Sequence, residues 1–336
     1  MNELTFSILL PAFNGSATIK DALGSILSQT YDNFEIIIQD DASIDATVQE
    51  INSLHNKKIT LFKNKKNLGY SANLENLRKK ATGDIIYLMG QDDILAKDAL
   101  LNTCNAFRIS NDIGAVTRAY YWFDHDLKRP VRAKKQLNPQ KDEVLSVMDD
   151  PKKIITMFST LDQLSGLAMR RKYIDRSFHQ DIFPCHVYPF ASIFKKHPVV
   201  FLKDYNTAVR IRTSQSRILS SIYDKSPLQS WVDLFNSVFS EEKFRPFRTY
   251  MISNFVAKNY VGLVQIRNYA KYRYLLREIY YLLKYRWQNI YHPFFWFFSI
   301  GSLLTPSFIL KPMVDSFKQN INSLTFKHIK FDSYVQ

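Results

Sequence analysis

Gly83-Asp84-Ile85-Ile86-Tyr87-Leu88-Met89-Gly90-Gln91-Asp92-Asp93 is the stretch whose reading decides the fold of this chain. An unbroken apolar run, Ile85 to Met89, stops at two adjacent carboxylates. A run of this kind, bounded by turn residues, suits a strand buried on both faces of a parallel sheet. In open α/β sheets ligands sit beyond the carboxyl ends of the strands, which puts Asp92 and Asp93 at the rim of that crevice. Two neighbouring carboxylates repel unless a cation lies between them, and Mg²⁺ or Mn²⁺ takes oxygen ligands and accompanies phosphates. The expectation is a metal-assisted site for a substrate bearing a diphosphate. The plainer reading is a strand-end turn in which Asp93 caps a helix from Leu95 to Ser110. Taken alone, the stretch favours the plainer one.

Upstream, the same grammar repeats. Thr5 to Leu10 is a short apolar run closed by Pro11-Ala12-Phe13-Asn14-Gly15. Ile19, Ala22, Leu23, Ile26 and Leu27 then recur at helical spacing behind a Ser16 or Thr18 cap. Phe34 to Gln39 is a second buried run, ending in Asp40-Asp41-Ala42-Ser43, and a helix with Val48, Ile51 and Leu54 follows. Ile59 to Phe62 predicts a third strand, and Ser71 to Ala81 a helix closed by Gly83. Strand and helix in alternation imply a parallel, doubly wound sheet. No G-x-G-x-x-G follows the first strand and no Walker lysine motif occurs, which weakens dinucleotide and P-loop readings.

Three polar strand ends thus gather on one edge: Pro11 to Asn14, Asp40-Asp41 and Asp92-Asp93. One carboxylate there can accept from a base N–H or a ribose hydroxyl while another holds a metal on a diphosphate. On these residues, 4–110 resemble the donor half of the family 2 glycosyltransferases of the GT-A fold. The matching signatures are Ser7-Ile8-Leu9-Leu10-Pro11-Ala12-Phe13-Asn14, Ser25-Ile26-Leu27-Ser28-Gln29-Thr30-Tyr31, Phe34 through Asp45, Asn67-Leu68-Gly69-Tyr70-Ser71-Ala72-Asn73, and Gly83-Asp84 through Asp92-Asp93. Each is modest alone, and five in the family's order make a specific match. The resemblance implies an α/β GT-A fold, Rossmann-like with a mostly parallel sheet. It implies that Pro11, Phe13 and Asp41 contact base and ribose. Asn14, Asp40, Asn73, Arg210 and Arg212 complete the expected donor set. Asp92 would hold Mg²⁺ or Mn²⁺ on the sugar-nucleotide diphosphate, with Asp93 beside it. There is one departure: the family's Asp-x-Asp stands here as Gly90-Gln91-Asp92, without its first carboxylate.

Residues 111–215 are expected to form the acceptor half. The basic segment from Lys128 to Lys141 reads as a surface loop. Ser165-Gly166-Leu167-Ala168-Met169-Arg170-Arg171 resembles the strand beneath the acceptor in the family. Arg210-Ile211-Arg212-Thr213-Ser214-Gln215-Ser216 resembles its closing Arg-x-His-x-x-Ser stretch, with Arg212 in place of the His. Such arginines would neutralise diphosphate charge as the leaving group departs. An inverting transfer also needs a general base for the acceptor hydroxyl. Asp181 has the right chemistry and His186 the right register ahead of the Val199 strand, and both stay open as candidates. His186 or His179 would alternatively complete the metal's coordination.

Charge and composition bound the rest. The chain has 336 residues and a formal charge of +14. From residue 216 onward sixteen Lys and Arg face seven Asp and Glu, which points to an anionic partner for that region. Two distant cysteines, Cys104 and Cys185, suit a reducing compartment and exclude a disulfide scaffold. The N-terminus shows no basic n-region or cleavage site, so no secretory signal is expected. Lys258 to Gln288 mixes aromatic and aliphatic residues with seven basic ones. It reads evenly as an interfacial membrane helix or as a helix packed on the catalytic domain with a solvated basic face. Phe294 to Leu310 is uncharged, interrupted by Gly301 and Pro306, and suits an in-plane or re-entrant segment more than a span. Arg286-Trp287 is present, but Leu283 replaces the Gln of the family's processive motif, so one sugar per encounter is expected.

The expectation is therefore a donor half (1–110), an acceptor half (111–215) and a helical, membrane-associating C-terminal region (216–336). The function expected is an inverting, metal-dependent transferase moving one sugar from a nucleotide donor to a lipid-linked glycan. The resemblance, and not the composition, further implies a bacterial setting in O-antigen or capsule assembly, with the protein in the cytoplasm, peripheral to the inner face of the membrane. Two other readings are a degenerate, carbohydrate- or membrane-binding relative, for which Gly90 speaks, and a sugar-1-phosphate nucleotidylyltransferase, which would carry a Gly-rich, basic first turn. Nucleic acid is disfavoured because the basic excess lies in an apolar, helical tail.

Overall fold

The computed structural model describes residues 3–124, 127, 130–181, 183–211, 220–320, 329 and 331–333. The apolar runs become strands and the 3.6-spaced segments become helices: β1 (Phe6–Ala12), α1 (Ile19–Leu27), β2 (Phe34–Asp40), α2 (Thr47–Asn52), β3 (Ile59–Lys63), α3 (Tyr70–Arg78) and β4 (Ile85–Leu88). β1 lies parallel between β2 and β4, and β3 extends the sheet beyond β2. The register sets Ala12 against Asp40 and Leu9 against Leu88, so three strands finish on one edge. All four residues of β4 are buried, which is why its sequence shows no polar alternation.

The chain continues through β5 (Ile94–Leu95), α4 (Ala99–Arg108), β6 (Ala115–Arg118), β7 (Tyr121–Phe123), β8 (Arg132–Ala133), β9 (Glu143–Leu145), α5 (Pro151–Phe158), β10 (Ala168–Arg170), α6 (Val187–Phe194), β11 (Val199–Leu202) and β12 (Thr207–Arg210). The main sheet runs β3-β2-β1-β4-β10-β6-β11-β9. It is mostly parallel, with β10 antiparallel to both its neighbours and β9 antiparallel to β11. A second sheet runs β5-β12-β7-β8. There Ala208 pairs with Ile94, immediately after Asp93, and this pairing carries Arg210 to the acidic pair.

Two local expectations change. The helix expected from Leu95 begins only at Ala99, because Ile94 and Leu95 pair with β12 instead. Asp98 stands at its N-cap, and Asp93 does not cap it because its carboxylate is drawn into the interior. In the basic segment, Lys128 and Arg129 lie outside the described residues, but Arg132 and Ala133 form β8 rather than a loop. The Arg132 guanidinium stacks 3.6 Å from the Trp122 ring, a cation–π contact that holds the strand in place.

By contact the chain divides into two units, Met1–Arg212 with Asn322–Gln336, and Thr213–Ile321. The last residues therefore group with the first unit, where the sequence reading carried the C-terminal region to 336. Lys97 N donates to Asp332 O at 2.8 Å, and Phe331 meets the Tyr121 ring edge-on at 5.1 Å. The second unit holds α7 (Pro227–Val238), α8 (Arg245–Asn254), α9 (Gly262–Tyr269), α10 (Tyr272–Tyr285), α11 (Pro293–Leu304) and α12 (Ser307–Asn320). Its core includes Phe235, Phe239, Met251, Leu263, Leu275, Leu282 and Phe295. The 258–288 segment is two helices, broken at Ala270, whose backbone is extended. The 294–310 run is likewise two helices, because Pro306 forces Thr305 out of the helical region. Among the described residues, no helix is long and apolar enough to cross a membrane.

Candidate active site

The loops at the strand ends are tied together by their own polar side chains. After β1, Asn14 takes a left-handed backbone (φ 47°), which Asn tolerates better than most residues. Its N–H donates to Ser43 Oγ at 2.9 Å, and its Oδ1 accepts from Ile44 N at 3.0 Å. Asp40 accepts from both the N–H and the hydroxyl of Ser43. Asp40 thus shapes the turn after β2 and, through Ser43, holds the end of β1.

Asp41 is buried and accepts three hydrogen bonds: from Asn64 Nδ2 at 2.7 Å, Leu68 N at 2.8 Å and Gly69 N at 2.9 Å. Gly69 needs φ +84°, a conformation that costs glycine little. The carboxylate therefore shapes the loop that starts α3. Asn73 belongs to the same network, accepting from Asn64 Nδ2 at 3.0 Å and donating to Gln39 O at 2.8 Å.

The third strand end is clipped to the first by Gln91. Its Oε1 accepts from Phe13 N and its Nε2 donates to Phe13 O, both at 2.9 Å. Gly15 makes room for this amide, since a Cβ there would fall 2.3 Å from Gln91 Oε1. Next in the chain, the two acids part company. Asp93 is 1 % exposed and accepts from Ser165 Oγ, from Gln163 Nε2 at 3.0 Å and from Arg210 N at 3.2 Å. Burial, and secondarily the charge of Asp92, push its carboxyl up to about 8. Asp92 keeps partial exposure. Gly90 stands where the family has its first carboxylate, in a tight spot among polar side chains. A Cβ at 90 would lie 3.0–3.1 Å from oxygens of Asp93, Asp92 and Ser165.

Behind Asp93 lies Arg118, fully buried. Its guanidinium donates to the carbonyls of Thr160, Gln163 and Ser165, fixing the segment that presents Gln163 and Ser165 to Asp93. Arg210 donates from Nε to Asp92 O at 3.3 Å and pairs with Asp21 Oδ2 at 3.1 Å. Its guanidinium also lies 4.8 Å from the Phe123 ring.

The two base candidates sit farther along. His186 is buried; its Nε2 lies 2.9 Å from Leu161 O and its Nδ1 lies 3.5 Å from Tyr70 Oη. Burial, reinforced by Arg118, lowers its pKa to about 4, so the ring is neutral and donates Nε2–H to the carbonyl. Asp181 pairs with His179, whose Nδ1 accepts from Asp181 N at 3.1 Å and lies 3.6 Å from Asp181 Oδ1. Ser71 on α3 donates to Gln180 O at 3.1 Å, tying that loop to the helix Asp41 helps to start.

Asp92, Asp93 and Arg210 therefore form one cluster. Pro11 is the next-to-last residue of β1, two before the Phe13 that Gln91 holds. Asp40 ends β2 beside that strand, and Asp41 and Asn73 share a network through Asn64. His186 reaches that network through Tyr70, while Asp181 sits with His179. Arg212 lies outside the described residues. Sequence reasoning missed Gln91, Gln163, Arg118 and Asp162. Asp162, half exposed, accepts from Tyr120 Oη at 2.5 Å and Lys134 Nζ at 2.8 Å. Only Gln91 carried a signal, as the middle residue of the altered Asp-x-Asp.

Among the described residues, no three or more His, Cys, Asp or Glu converge into a metal cage. The donor set still fits Mg²⁺ or Mn²⁺ in the manner common at phosphate sites: one or two protein carboxylates, with substrate phosphates and water completing the octahedron. Asp92 is the residue that fits that description.

The Glycosyl transferase family 2 model matches residues 7–178, half of the chain, and the chain belongs to that family. Residues here are 32% identical over 94 positions to the UDP-Glc:alpha-D-GlcNAc-diphosphoundecaprenol beta-1,3-glucosyltransferase WfgD of Escherichia coli, covering 28% of this chain and 37% of that protein. The first curated relatives are matched over half of their length or less, 49%, 33% and 37%. Among solved structures, S. aureus TarS 1-349 in complex with UDP-GlcNAc aligns with a TM-score of 0.67 at 13% identity, covering 93% of this chain and 92% of that one. The mannosyltransferase PcManGT from Pyrobaculum calidifontis, in complex with GDP-Man and Mn²⁺, aligns at 0.55 and 14% identity, covering 98% and 84%. At such identities the structural likeness speaks to the GT-A fold.

Proposed function

We propose that this family 2 member transfers a single sugar, with inversion, from a nucleoside-diphosphate donor to a hydroxyl of a lipid-linked glycan. The observation that carries the reading is the strand-end cluster, in which a partly exposed Asp92 stands beside a buried Asp93 and the cation Arg210. The nucleotide would lie over the end of β1 and the Asp40–Ser43 turn, with Pro11, Phe13 and Asn14 along its base. Asp41 would act chiefly by holding the 67–69 backbone in place. Asp92 would hold Mg²⁺ or Mn²⁺, which when bound offsets charge on the departing diphosphate. Arg210 would turn from Asp21 to a phosphate oxygen as charge builds there, a bidentate match suited to guanidinium. Asp93, its carboxyl pushed up by burial and by Asp92, adds less repulsion to an incoming anion than an exposed carboxylate would.

A carboxylate is the better proton acceptor for the attacking hydroxyl. Both nitrogens of His186 face protein partners and its proton affinity is depressed, which favours Asp181 as the base. The lipid-linked acceptor and the inner membrane face are supported by the undecaprenol diphosphate substrate in WfgD's name and by the basic C-terminal region. The test is a screen of UDP-, GDP-, dTDP- and CDP-sugars for thermal stabilisation and turnover, with Mn²⁺ or with chelator. One donor should stabilise the protein in a metal-dependent way. Failure of every donor to do so would favour the non-catalytic, carbohydrate-binding reading.

A further inference from the structure

The second unit turns one of its helices inside out. α11 buries Phe295, Ser299 and Ser302, and the two serine hydroxyls have no hydrogen-bond partner. Its outer side carries Phe294, Phe297 and Leu304, exposed by 61, 70 and 76 %. A helix packed for water puts its serines out and its phenylalanines in. On α12 Phe308, Met313 and Phe317 are exposed too, spread around the helix and not along one side. Scattered exposed apolar residues are ordinary, but two successive helices presenting large ones mark a surface meant to be covered.

Charge narrows what covers it. Between Lys258 and Lys318 the sequence carries nine Lys and Arg against Glu278 and Asp315. Glu278 is buried and bonded to Ser226 and Arg277, so it does little to offset that excess at the surface. A second copy of this chain would bring like charge to like charge, whereas anionic headgroups complement it. Trp287 and Tyr291, exposed just before α11, are the side chains that settle at a headgroup boundary. The basic helix α10 is not the inserting element. Its apolar side, Leu275 and Leu282, is spent on the unit's own core, and Arg277 is held by the carbonyls of Tyr223 and Asp224.

We infer that the outer side of α11, with exposed apolar side chains of α12 next in the chain, inserts into the interfacial layer of an anionic lipid bilayer, as an in-plane anchor. The inference builds on the lipid-linked acceptor proposed above, and locates the residues that bring the protein to it. The experiment is flotation of the full chain with vesicles of phosphatidylglycerol and phosphatidylcholine in equal parts, beside vesicles of phosphatidylcholine alone. The comparison protein is the triple variant Phe294→Ser, Phe297→Ser, Phe308→Ser, with its fold checked by thermal melting.

The parent should float with the anionic vesicles, less so with neutral ones, and the variant should bind them roughly tenfold more weakly or worse. The single substitution Phe297→Glu, at a side chain 70 % exposed, should also weaken binding and covers the case in which the triple variant misfolds, since unchanged flotation in it would overturn the anchor. Equal flotation of parent and serine variant, or no flotation of the parent, would overturn the anchor. A parent that is dimeric and becomes monomeric in the variant would overturn it too, by assigning the face to a second copy. Donor-induced stabilisation, measured on the same samples, separates the two readings. If it persists while flotation fails, the anchor falls and the transferase stands; if it is absent while flotation succeeds, the reverse holds.

Discussion

Asp40-Asp41 and Asp92-Asp93 end the two strands that flank β1, and as sequence they are the same motif. The fold uses them differently. Asp40 and Asp41 are both buried and both turned to their own loops, one by Ser43 and the other by Asn64, Leu68 N and Gly69 N. In the second pair Asp93 is taken inward by Ser165, Gln163 and Arg210 N, while Asp92 stays partly exposed. Acidic pairs at strand ends thus divide by the donors within reach. The three buried carboxylates hold loops and interior segments, and Asp92 is the one that keeps partial exposure.

The largest expected effect separates the pairs outright. Asp92→Ala should lower sugar transfer by on the order of a thousandfold or more while leaving the melting temperature within about 2 °C of the parent. A variant with full turnover would remove Asp92 from the chemistry. Asp41→Ala should do the opposite in kind. Leaving buried donors unmet should cost about 2–4 kcal/mol in denaturant unfolding, and unchanged stability would show that the loop after β3 holds itself. Asp181→Asn should lower kcat by roughly a hundredfold with donor binding intact, whereas His186→Ala should act mainly on stability. Reversed results would reassign the base.

Gln91→Ala, which cuts the reciprocal bonds to Phe13, should cost about 1–2 kcal/mol and raise the donor KM more than it lowers kcat. A pure kcat effect would contradict a positioning role. The smallest effect is on pH. Asp93 keeps a proton in the folded state up to about 8 that the unfolded chain releases near 3.8, so its contribution to stability falls as pH rises across that window. Asp93→Asn should flatten this slope, read as Tm against pH. A slope that survives the substitution belongs to another group.

Much of the site was legible because parallel strands announce themselves. Unbroken apolar runs cannot alternate when both faces are covered, and their polar ends fall on one edge by topology alone. Asp92's place at the rim follows from that topology, whereas Arg210 is expected from the resemblance of 210–216 to the family's closing stretch, and it does reach the pair. The helix expected from Leu95 was misjudged because β5 pairs with a strand more than a hundred residues away, a partner no local pattern displays. Arg118, Gln163 and Asp162 were invisible for the same reason. Each acts through segments distant in sequence, and a lone Arg, Gln or Asp carries no spacing signal.

In the tail, composition showed that something basic and aromatic was present but not which helix used it. α10 carries the amphipathic pattern and packs Leu275 and Leu282 inward, while α11, nearly all apolar, buries Phe295 and shows Phe294 and Phe297 to solvent. Periodicity reports that a helix has two faces, and only the neighbours it meets decide which one is covered.

By itself the sequence determined the order of strands and helices from β1 to β4, the edge on which the acids gather and the sign of the tail's charge. These follow from local periodicity, turn chemistry and composition, which need no partner. The tertiary structure alone decided which of four similar carboxylates face inward, where Arg210 lands and which aromatic side chains stay exposed. Those outcomes depend on donors and apolar surfaces brought together from remote parts of the chain, and burial is a property of the assembled neighbourhood and not of any residue alone.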